Sequence, residues 1–258
     1  MKYIILSFDD GREDFFLRAF PILRKYNLTA TLNVVSECVG KKNPSGIGSG
    51  NGVYVSWEEL AACKEYGIEI ANHSARHNNN LEDILIGAAE ICDCLDIQEP
   101  LGFSSPNSEI CAKNMAIYEP LVNEGRILYI RSGNQVKRDG YIYALAYILS
   151  KYTHSKKMFK RYNNRNILNL GEQRGSFLPS ITCNRDNTAR QIEYFIEKME
   201  DNTAAILMFH SILQVCDLGY EKDKWYNTAE EFERLCKYLA ENPEVSVITT
   251  KALINLMK

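Results

Sequence analysis

The stretch YIILSFDDG, residues 3–11, joins an apolar run to two adjacent aspartates and a glycine. A short apolar run that ends in a turn signal is typical of a buried strand. Two neighbouring carboxylates after such a strand are costly unless a cation or a shared proton offsets their repulsion. Asp9 and Asp10 therefore indicate a metal site or an acid-base device, and Gly11 permits a tight turn. A helix N-cap role would explain only one of the two aspartates.

Seven further apolar runs follow the first, and stretches with helical spacing separate many of them. They are TATLNVV (29–35), GIEIANH (67–73), LGFSS (101–105), ILYIRS (127–132), SFLPS (176–180), AAILMFH (204–210) and VSVITT (245–250). Alternation of strand and helix predicts an α/β fold with a parallel sheet. About eight strand candidates favour a barrel or near-barrel, whose catalytic groups collect at the carboxyl ends of the strands.

The composition is that of an ordinary globular chain. The sequence has 258 residues, 45% hydrophobic and 24% charged, which suits one domain spanning residues 1–258. A formal net charge of −3 supplies no positive field for phosphate backbones, so nucleic acid is not expected as a partner. No apolar window reaches the roughly 18 to 20 residues of a membrane span. The sequence predicts no particular oligomeric state.

The eight cysteines are scattered without paired CxxC spacing, so neither a zinc ribbon nor a disulfide scaffold is indicated. Most are expected to be reduced and buried, and the close pair Cys92 and Cys94 is interpreted as ordinary packing. The opening residues run directly into the charged motif and leave no room for a secretory signal. These features together predict a cytoplasmic protein.

Two other tracts differ from their surroundings. The segment NPSGIGSGNG (43–52) is rich in glycine and serine and is predicted to be a surface loop. The region 137–175 interleaves tyrosines with basic residues. It suits solvated helices better than an insertion lining a cleft, although both interpretations remain open.

The histidines carry the second chemical signal. His73 and His77 are separated by four residues, a spacing that lets two imidazoles converge on one ion. With one carboxylate from another strand end they give two nitrogens and one oxygen, a set that suits Zn²⁺ and leaves positions open. His210 ends its own apolar run. It is a candidate fourth ligand, general acid or core histidine.

Three motifs in order resemble those of the polysaccharide deacetylase family, which is carbohydrate esterase family 4 with its NodB homology domain. SFDDG (7–11) resembles the first motif, and HSARH (73–77) is similar to the second, H-[ST]-x-x-H. LMFH (207–210) resembles the last, in which an aliphatic residue stands two positions before a histidine. The matches span most of the chain.

The resemblance implies a NodB-like, distorted (β/α) barrel of seven or eight strands. It implies three ligands for a divalent metal, commonly zinc: Asp10, His73 and His77. Asp9 would be the general base and His210 the general acid, while Met208 would help to form a small apolar pocket for the acetyl methyl. The chemistry of these residue types agrees, because a metal can polarise the carbonyl and water while acid and base move protons.

The third motif of the family, R-x-P-[YF], is changed in this chain. It is present only as SSPN (104–107), in which Pro106 is kept as a candidate orienting residue. Ser104 stands in place of the arginine and Asn107 in place of the aromatic residue. Because that arginine orients the base aspartate in the family, the resemblance leaves the control of the base unassigned.

Arg131 is predicted to replace the missing arginine and to reach the carboxylate of Asp9, since it ends a predicted strand as the other site residues do. A helix-capping or surface ion-pair role for Arg131 is the alternative. The fourth motif, Asp-Trp, has no match, because neither Trp57 nor Trp225 follows an aspartate. The sequence therefore identifies no aspartate to orient His210.

Two hypotheses about function follow. The first is a metal-dependent hydrolase that removes an acetyl group from an N-acetylated or O-acetylated sugar or a related amide. The second is a non-catalytic or weakly active relative that binds metal or sugar, which the changed motifs favour. Because the base and the acid are both present, an active deacetylase is the main prediction.

Overall fold

The computed structural model describes residues 1–42, 52–133, 141–171, 177–217, 220 and 223–258. The predicted surface loop at 43–52 lies outside the described residues except for Gly52. All eight predicted strands are present, at or within the predicted runs apart from one extra residue at the start of the first and the seventh.

Twelve strands are formed by the described residues. They are β1 (Lys2–Phe8), β2 (Thr31–Val34), β3 (Glu69–Asn72), β4 (Phe103–Ser104), β5 (Ile130–Arg131), β6 (Leu168–Asn169), β7 (Phe177–Leu178), β8 (Ile181–Thr182), β9 (Thr203–Phe209), β10 (Ser211–Leu213), β11 (Tyr226–Thr228) and β12 (Val245–Val247). Nine α-helices lie in the same ranges. They are α1 (Phe20–Lys25), α2 (Trp57–Tyr66), α3 (Leu81–Leu95), α4 (Glu119–Asn123), α5 (Tyr141–Thr153), α6 (Lys156–Asn163), α7 (Ala189–Glu197), α8 (Ala229–Glu241) and α9 (Thr250–Met257).

One curved sheet organises the fold. Its strands follow the order β6-β9-β1-β2-β3-β4-β5-β7, and every pairing except β6 with β9 is parallel. The short β8 comes two residues after β7 and pairs with β9 at the other side of the sheet. The segment from β7 to β8 therefore nearly closes the sheet into a barrel. The predicted α/β barrel is confirmed.

The longest pairing joins β1 to β9 in register along seven residues, from Lys2 opposite Thr203 to Phe8 opposite Phe209. Both strands are almost entirely buried, as expected for a parallel sheet covered on both faces. The backbone N–H of Asp9 continues the ladder by donating to the carbonyl of Phe209 at 2.9 Å. The register thus brings the two ends that carry Asp9 and His210 side by side.

Helices that form from the stretches with helical spacing, among them α1, α2 and α8, pack apolar side chains in the core. The first of them begins as a π-helical segment, Phe15–Ala19, that leads directly into α1. The ring of Phe8 packs against those of Phe15, Phe209 and Phe232, with centroids 4.8, 5.3 and 5.5 Å away. This aromatic group lies at the base of the carboxyl ends of β1 and β9. It gives the site a rigid floor.

Several smaller expectations also have an outcome. All eight cysteines are free, but only Cys38, Cys63, Cys183 and Cys236 are buried, while Cys94 and Cys216 are exposed. The expectation that most cysteines are buried is therefore wrong, because four of the eight are partly or fully exposed. Among the described residues, no helix is long and apolar enough to cross a membrane.

Candidate active site

The turn after β1 has an unusual backbone. Asp10 and Gly11 both adopt positive φ angles, 75° and 71°. A glycine takes this conformation without strain, whereas an aspartate does so at some cost, although its short polar side chain tolerates it better than most. The reversal turns the Asp10 carboxylate back over the end of the barrel. Strain of this kind is found preferentially at functional sites.

The turn after β3 carries the histidine pair. Asn72 fixes its start, because its side chain accepts from the N–H of Ser74 and donates to the carbonyl of Ile84 in α3. Gly87 of α3 lies so close to this turn that an added Cβ would stand 2.6 Å from backbone atoms of Ser74 and Ala75. The helix can approach the turn only because position 87 lacks a side chain. The packing thus holds the turn in one place.

Asp10, His73 and His77 converge, as the sequence predicts. The Nε2 atoms of His73 and His77 lie 3.5 and 3.4 Å from Oδ1 of Asp10. One ligand atom from each residue lies within 4.8 Å of the others. A tetrahedral ion with ligands about 2.0 to 2.1 Å away separates its ligand atoms by about 3.3 to 3.4 Å. The two separations from Asp10 are close to that value, and the three residues fit a divalent metal such as zinc.

Neighbouring groups orient these ligand atoms. Nδ1 of His73 lies 2.8 Å from the carbonyl of Ser104, an arrangement that places its proton on Nδ1 and leaves the lone pair on Nε2. Burial alone would raise the pKa of Asp10, but His73, His77 and Arg12 together lower that pKa well below its ordinary value. The carboxylate is therefore ionised, as a metal ligand must be.

The carboxylate of Asp9 has hydrogen-bond partners different from those of Asp10. Its Oδ1 accepts hydrogen bonds from Nη2 of Arg131 and, at 2.9 Å, from Nδ2 of Asn33. Both bonds use the same oxygen, and the side chain is almost fully buried. The second oxygen, Oδ2, is thus the one left for proton transfer. The predicted contact between Arg131 and Asp9 is present.

The strand register explains how Arg131 reaches the site. Ser104 of β4 lies directly opposite Arg131 of β5. The small hydroxyl of Ser104 accepts from Nε of Arg131 at 3.1 Å and donates to Oδ1 of Asn33 at 2.6 Å. A guanidinium from the adjacent strand therefore passes over the serine to the carboxylate.

His210 lies at the carboxyl end of β9, and its ring is 5.4 Å from that of Trp225. Burial lowers its pKa, an effect that Asp10 and Asp9 oppose in part. Within the part of the chain that the structure describes, its buried Nδ1 has no hydrogen-bond partner. This agrees with the missing fourth motif, because no aspartate among those residues holds the ring.

Sequence reasoning missed the role of Arg12, which the structure places in buried contact with Asp10. Its Nε and Nη2 donate to Oδ2 of Asp10, and its Nη1 donates to Ser211 at 2.6 Å and to Asp223 at 2.7 Å. Arg12 is 1% exposed. The other oxygen of Asp223, Oδ1, accepts a hydrogen bond from the N–H of Trp225 at 2.8 Å. One buried network thus links the candidate ligand Asp10 to the segment beside the candidate acid.

A cavity of about 520 Å³ collects these groups, and we call it the active-site cavity. Its lining residues are Asp9, Asp10, His73, His77, Ser105, Asn107, Ser108, Thr182, Met208, His210 and Trp225. Met208 reaches it, and its sulfur also lies 2.9 Å from Nη1 of Arg131. Pro106 does not line it. The Pro106 carbonyl instead accepts from Asn79, and only the residues on either side of Pro106 reach the cavity.

Comparison with known proteins supports the resemblance that the first two motifs indicate. Residues 1–97 match the family model for polysaccharide deacetylase. A Bacillus subtilis protein, named "Putative polysaccharide deacetylase YxkH", is 28% identical over 76 residues. That match covers 30% of this chain and 24% of the Bacillus protein. The predicted resemblance to the polysaccharide deacetylases is confirmed.

Solved structures of such proteins share the fold over nearly the whole chain. A family 4 acetyl xylan esterase from Clostridium thermocellum, in complex with a cobalt ion, superposes with a TM-score of 0.52 at 18% identity. The superposition covers 98% of this chain and 91% of the esterase. A structure from Mycobacterium smegmatis, titled as a putative polysaccharide deacetylase, has a TM-score of 0.56 at 14% identity and covers 98% and 89%. At these identities the likeness concerns the fold.

Proposed function

We propose that this protein is a metal-dependent hydrolase that removes an acetyl group from an N-acetylated or O-acetylated sugar. The observation that carries the proposal is the convergence of five groups on one cavity. Three of them match the geometry of a divalent ion, and the other two are a carboxylate and an imidazole. A metal site beside a candidate base and a candidate acid provides the groups that metal-assisted hydrolysis requires.

The base in this proposal is Asp9. Its Oδ1 is held by Arg131 and Asn33, so the carboxylate cannot rotate freely and Oδ2 takes a proton from the attacking water. Arginine suits this position, since a guanidinium orients a carboxylate without accepting its proton. Asp10, His73 and His77 would hold a divalent ion, which would supply Lewis acidity to the acyl carbonyl and the water.

His210 has the role of the acid, donating a proton to the departing amine or alcohol. Its ring must be charged before it can donate, and burial opposes that charge. The carboxylates of Asp9 and Asp10 favour the charged form. Met208 presents an apolar surface in the same cavity, where the methyl of the acetyl group would fit.

A second candidate is a relative that binds metal or sugar and has little or no activity. The Nδ1 atom of His210 favours it, because that atom has no hydrogen-bond partner among the described residues and a ring without such a partner is a poor proton donor. The two hydrogen bonds that hold Oδ1 of Asp9 favour activity, because they orient the base. A cytoplasmic location, which would suit a sugar metabolite better than a wall polymer, stays a prediction.

The proposal is tested by acetate release. Protein stripped with a chelator and then loaded with one equivalent of zinc is incubated with N-acetylglucosamine oligomers and, separately, with acetylated xylan. We expect acetate from one of these classes, loss of release on stripping, and recovery on adding metal. Tight metal binding without acetate release from either class would favour the second candidate instead.

A further inference from the structure

A second cavity, of about 300 Å³, adjoins the active-site cavity. We call it the α5–α6 cleft, because one wall comes from those helices through Tyr147, Lys151, Phe159 and Tyr162. Residues of the segment after β8, among them Asn184 and Asp186, line it as well. The region 137–175, for which solvated helices are the favoured prediction, thus lines a cleft. Both interpretations hold for the described helices, since α5 also exposes Tyr141 and Tyr152 to solvent.

The two cavities share a boundary. Four residues line both of them: Asn107, Ser108, Thr182 and Trp225. Asn107 and Ser108 have positive φ angles of 54° and 56°, so the chain reverses sharply at the boundary. Trp225 is 41% exposed, and its ring also packs beside His210. A molecule that extends from the acid group across Trp225 enters the α5–α6 cleft.

The wall of the cleft is held in place by α7 and the segment before it. Gln191 of α7 donates from Nε2 to the carbonyl and hydroxyl oxygens of Ser150, at 3.0 and 3.2 Å. The rings of Phe159 and Phe195 pack edge to face with centroids 6.1 Å apart. These buried contacts anchor both α5 and α6. The cleft is therefore preformed, which lowers the entropic cost of binding a ligand there.

Aromatic and uncharged polar side chains make up most of the described lining, and the charges of the described lining residues balance. Tyr147, 39% exposed, lies beside Tyr162 with ring centroids 5.2 Å apart. The charged side chains of the lining, Lys151 and Asp186, form an ion pair at 2.8 Å and cancel each other. Such a lining does not select phosphate or carboxylate groups. It suits a ligand with apolar C–H faces and uncharged hydroxyl or amide groups.

We propose that the α5–α6 cleft is a subsite for the neighbouring sugar unit of an uncharged oligosaccharide. A pyranose ring offers C–H groups to tyrosine faces and hydroxyls to amides such as Asn184. The inference rests on the proposed function, since it assumes that the acetylated unit occupies the active-site cavity. It deepens that function by selecting oligosaccharides over monosaccharides.

The test measures binding in the zinc-loaded Asp9→Asn protein, which should retain ligand while turning it over slowly. Isothermal titration compares N-acetylglucosamine with its β-1,4-linked tetramer. We expect the tetramer to bind at least about tenfold more tightly, a difference of about 1.4 kcal/mol. Equal affinity for the monomer and the tetramer would overturn the proposal without any further variant.

Two further variants locate the effect. Tyr147→Ala and Tyr162→Ala, each in the same background, should bring the affinity for the tetramer to within about twofold of that for the monomer. Tyr141→Ala is the matched control, because Tyr141 is on the same helix, 96% exposed and absent from the lining. Equal losses in the control and in the two variants would assign the effect to the helix as a whole and overturn the proposal.

The subsite and the proposed function fail separately. If the Asp9→Asn protein prefers the tetramer through Tyr147 and Tyr162 but the unmodified protein releases no acetate, the subsite stands and the hydrolase proposal falls. If acetate is released with equal efficiency from monomer and tetramer, and both bind alike, the hydrolase proposal stands. The subsite is then rejected.

Discussion

Arg12 donates two hydrogen bonds to a single oxygen of Asp10, from Nε at 3.1 Å and from Nη2 at 3.0 Å. Because both bonds end on Oδ2, the other oxygen is the one that faces His73 and His77. Asp223 holds the guanidinium from its far side at 2.7 Å. An arginine fixed between two carboxylates in this way sets the direction of the ligand oxygen.

We expect Arg12→Lys to weaken zinc binding by about ten- to hundredfold, the usual effect of losing a group that orients a ligand. Lysine keeps the charge but cannot form the fork. Competition with a chromogenic chelator measures the Kd. Arg18→Lys is the control, because Arg18 pairs with Asp217 at the surface. A folded Arg12→Lys protein with unchanged zinc affinity would show that the fork does not orient the ligand.

His77→Ala is expected to abolish stoichiometric metal binding, because two remaining ligands cannot hold the ion tightly. The unmodified protein should bind about one equivalent, as one ion per three-ligand site requires. His154→Ala serves as the control, since His154 is exposed and lies outside the site. Elemental analysis after dialysis reports the content. Retention of metal by the His77→Ala protein would place the site elsewhere.

Asp9→Asn and His210→Ala are each expected to lower turnover by roughly a hundredfold or more through the loss of proton transfer. Metal content should persist in both, because neither residue is a proposed ligand. Acetate release and metal analysis on the same preparations check the two statements. Loss of metal from either protein would assign that residue to the coordination shell.

Much of this site could be predicted from the sequence because its residues end apolar runs. Register then brings together residues that are far apart in the chain, as β1 and β9 do for Asp9 and His210. Asn33 also had a visible signal, since it is a polar residue inside the apolar run TATLNVV. Its side chain is fully buried and donates a hydrogen bond to Asp9.

Other parts had no signal in the sequence. The contact between Arg12 and Asp10 depends on a turn in which both Asp10 and Gly11 have positive φ. The sequence does not indicate that both residues adopt this conformation. The strands β6 and β8 have two residues each, too few for a periodic pattern, and unlike β4, β5 and β7 they lie outside the predicted apolar runs. The α5–α6 cleft depends on packing against α7, which composition alone does not indicate.

Arg131→Ser is expected to lower kcat by at least about tenfold without loss of metal, since Asp9 loses its orienting partner. The strand register offers a sharper test. Because Ser104 and Arg131 lie opposite each other, the double variant Ser104→Arg/Arg131→Ser returns a guanidinium to the same carboxylate from the adjacent strand. Its kcat should exceed that of the single variant. Unchanged kcat in Arg131→Ser would remove Arg131 from the mechanism.

Asp14 gives a prediction about stability and pH. Burial raises its pKa to about 7, although Arg12 and the N–H of Ile212 oppose the shift. Between pH 4 and 7 the folded protein therefore binds this proton more tightly than the unfolded chain does. It follows that the wild-type protein loses stability as pH rises through this interval, and the loss is complete above it.

The amide of the Asp14→Asn protein has no proton to lose, so the stability of this variant should not fall for that reason as pH rises. Relative to wild type, the variant should gain about 2 to 3 kcal/mol in free energy of unfolding between pH 5 and pH 8. Urea unfolding at the two pH values measures the change. Asp217→Asn is the control: Arg18 lowers the pKa of Asp217, so its carboxyl is ionised at both pH values in either state. An equal pH dependence of stability in wild type and Asp14→Asn would mean that Asp14 does not titrate in this range.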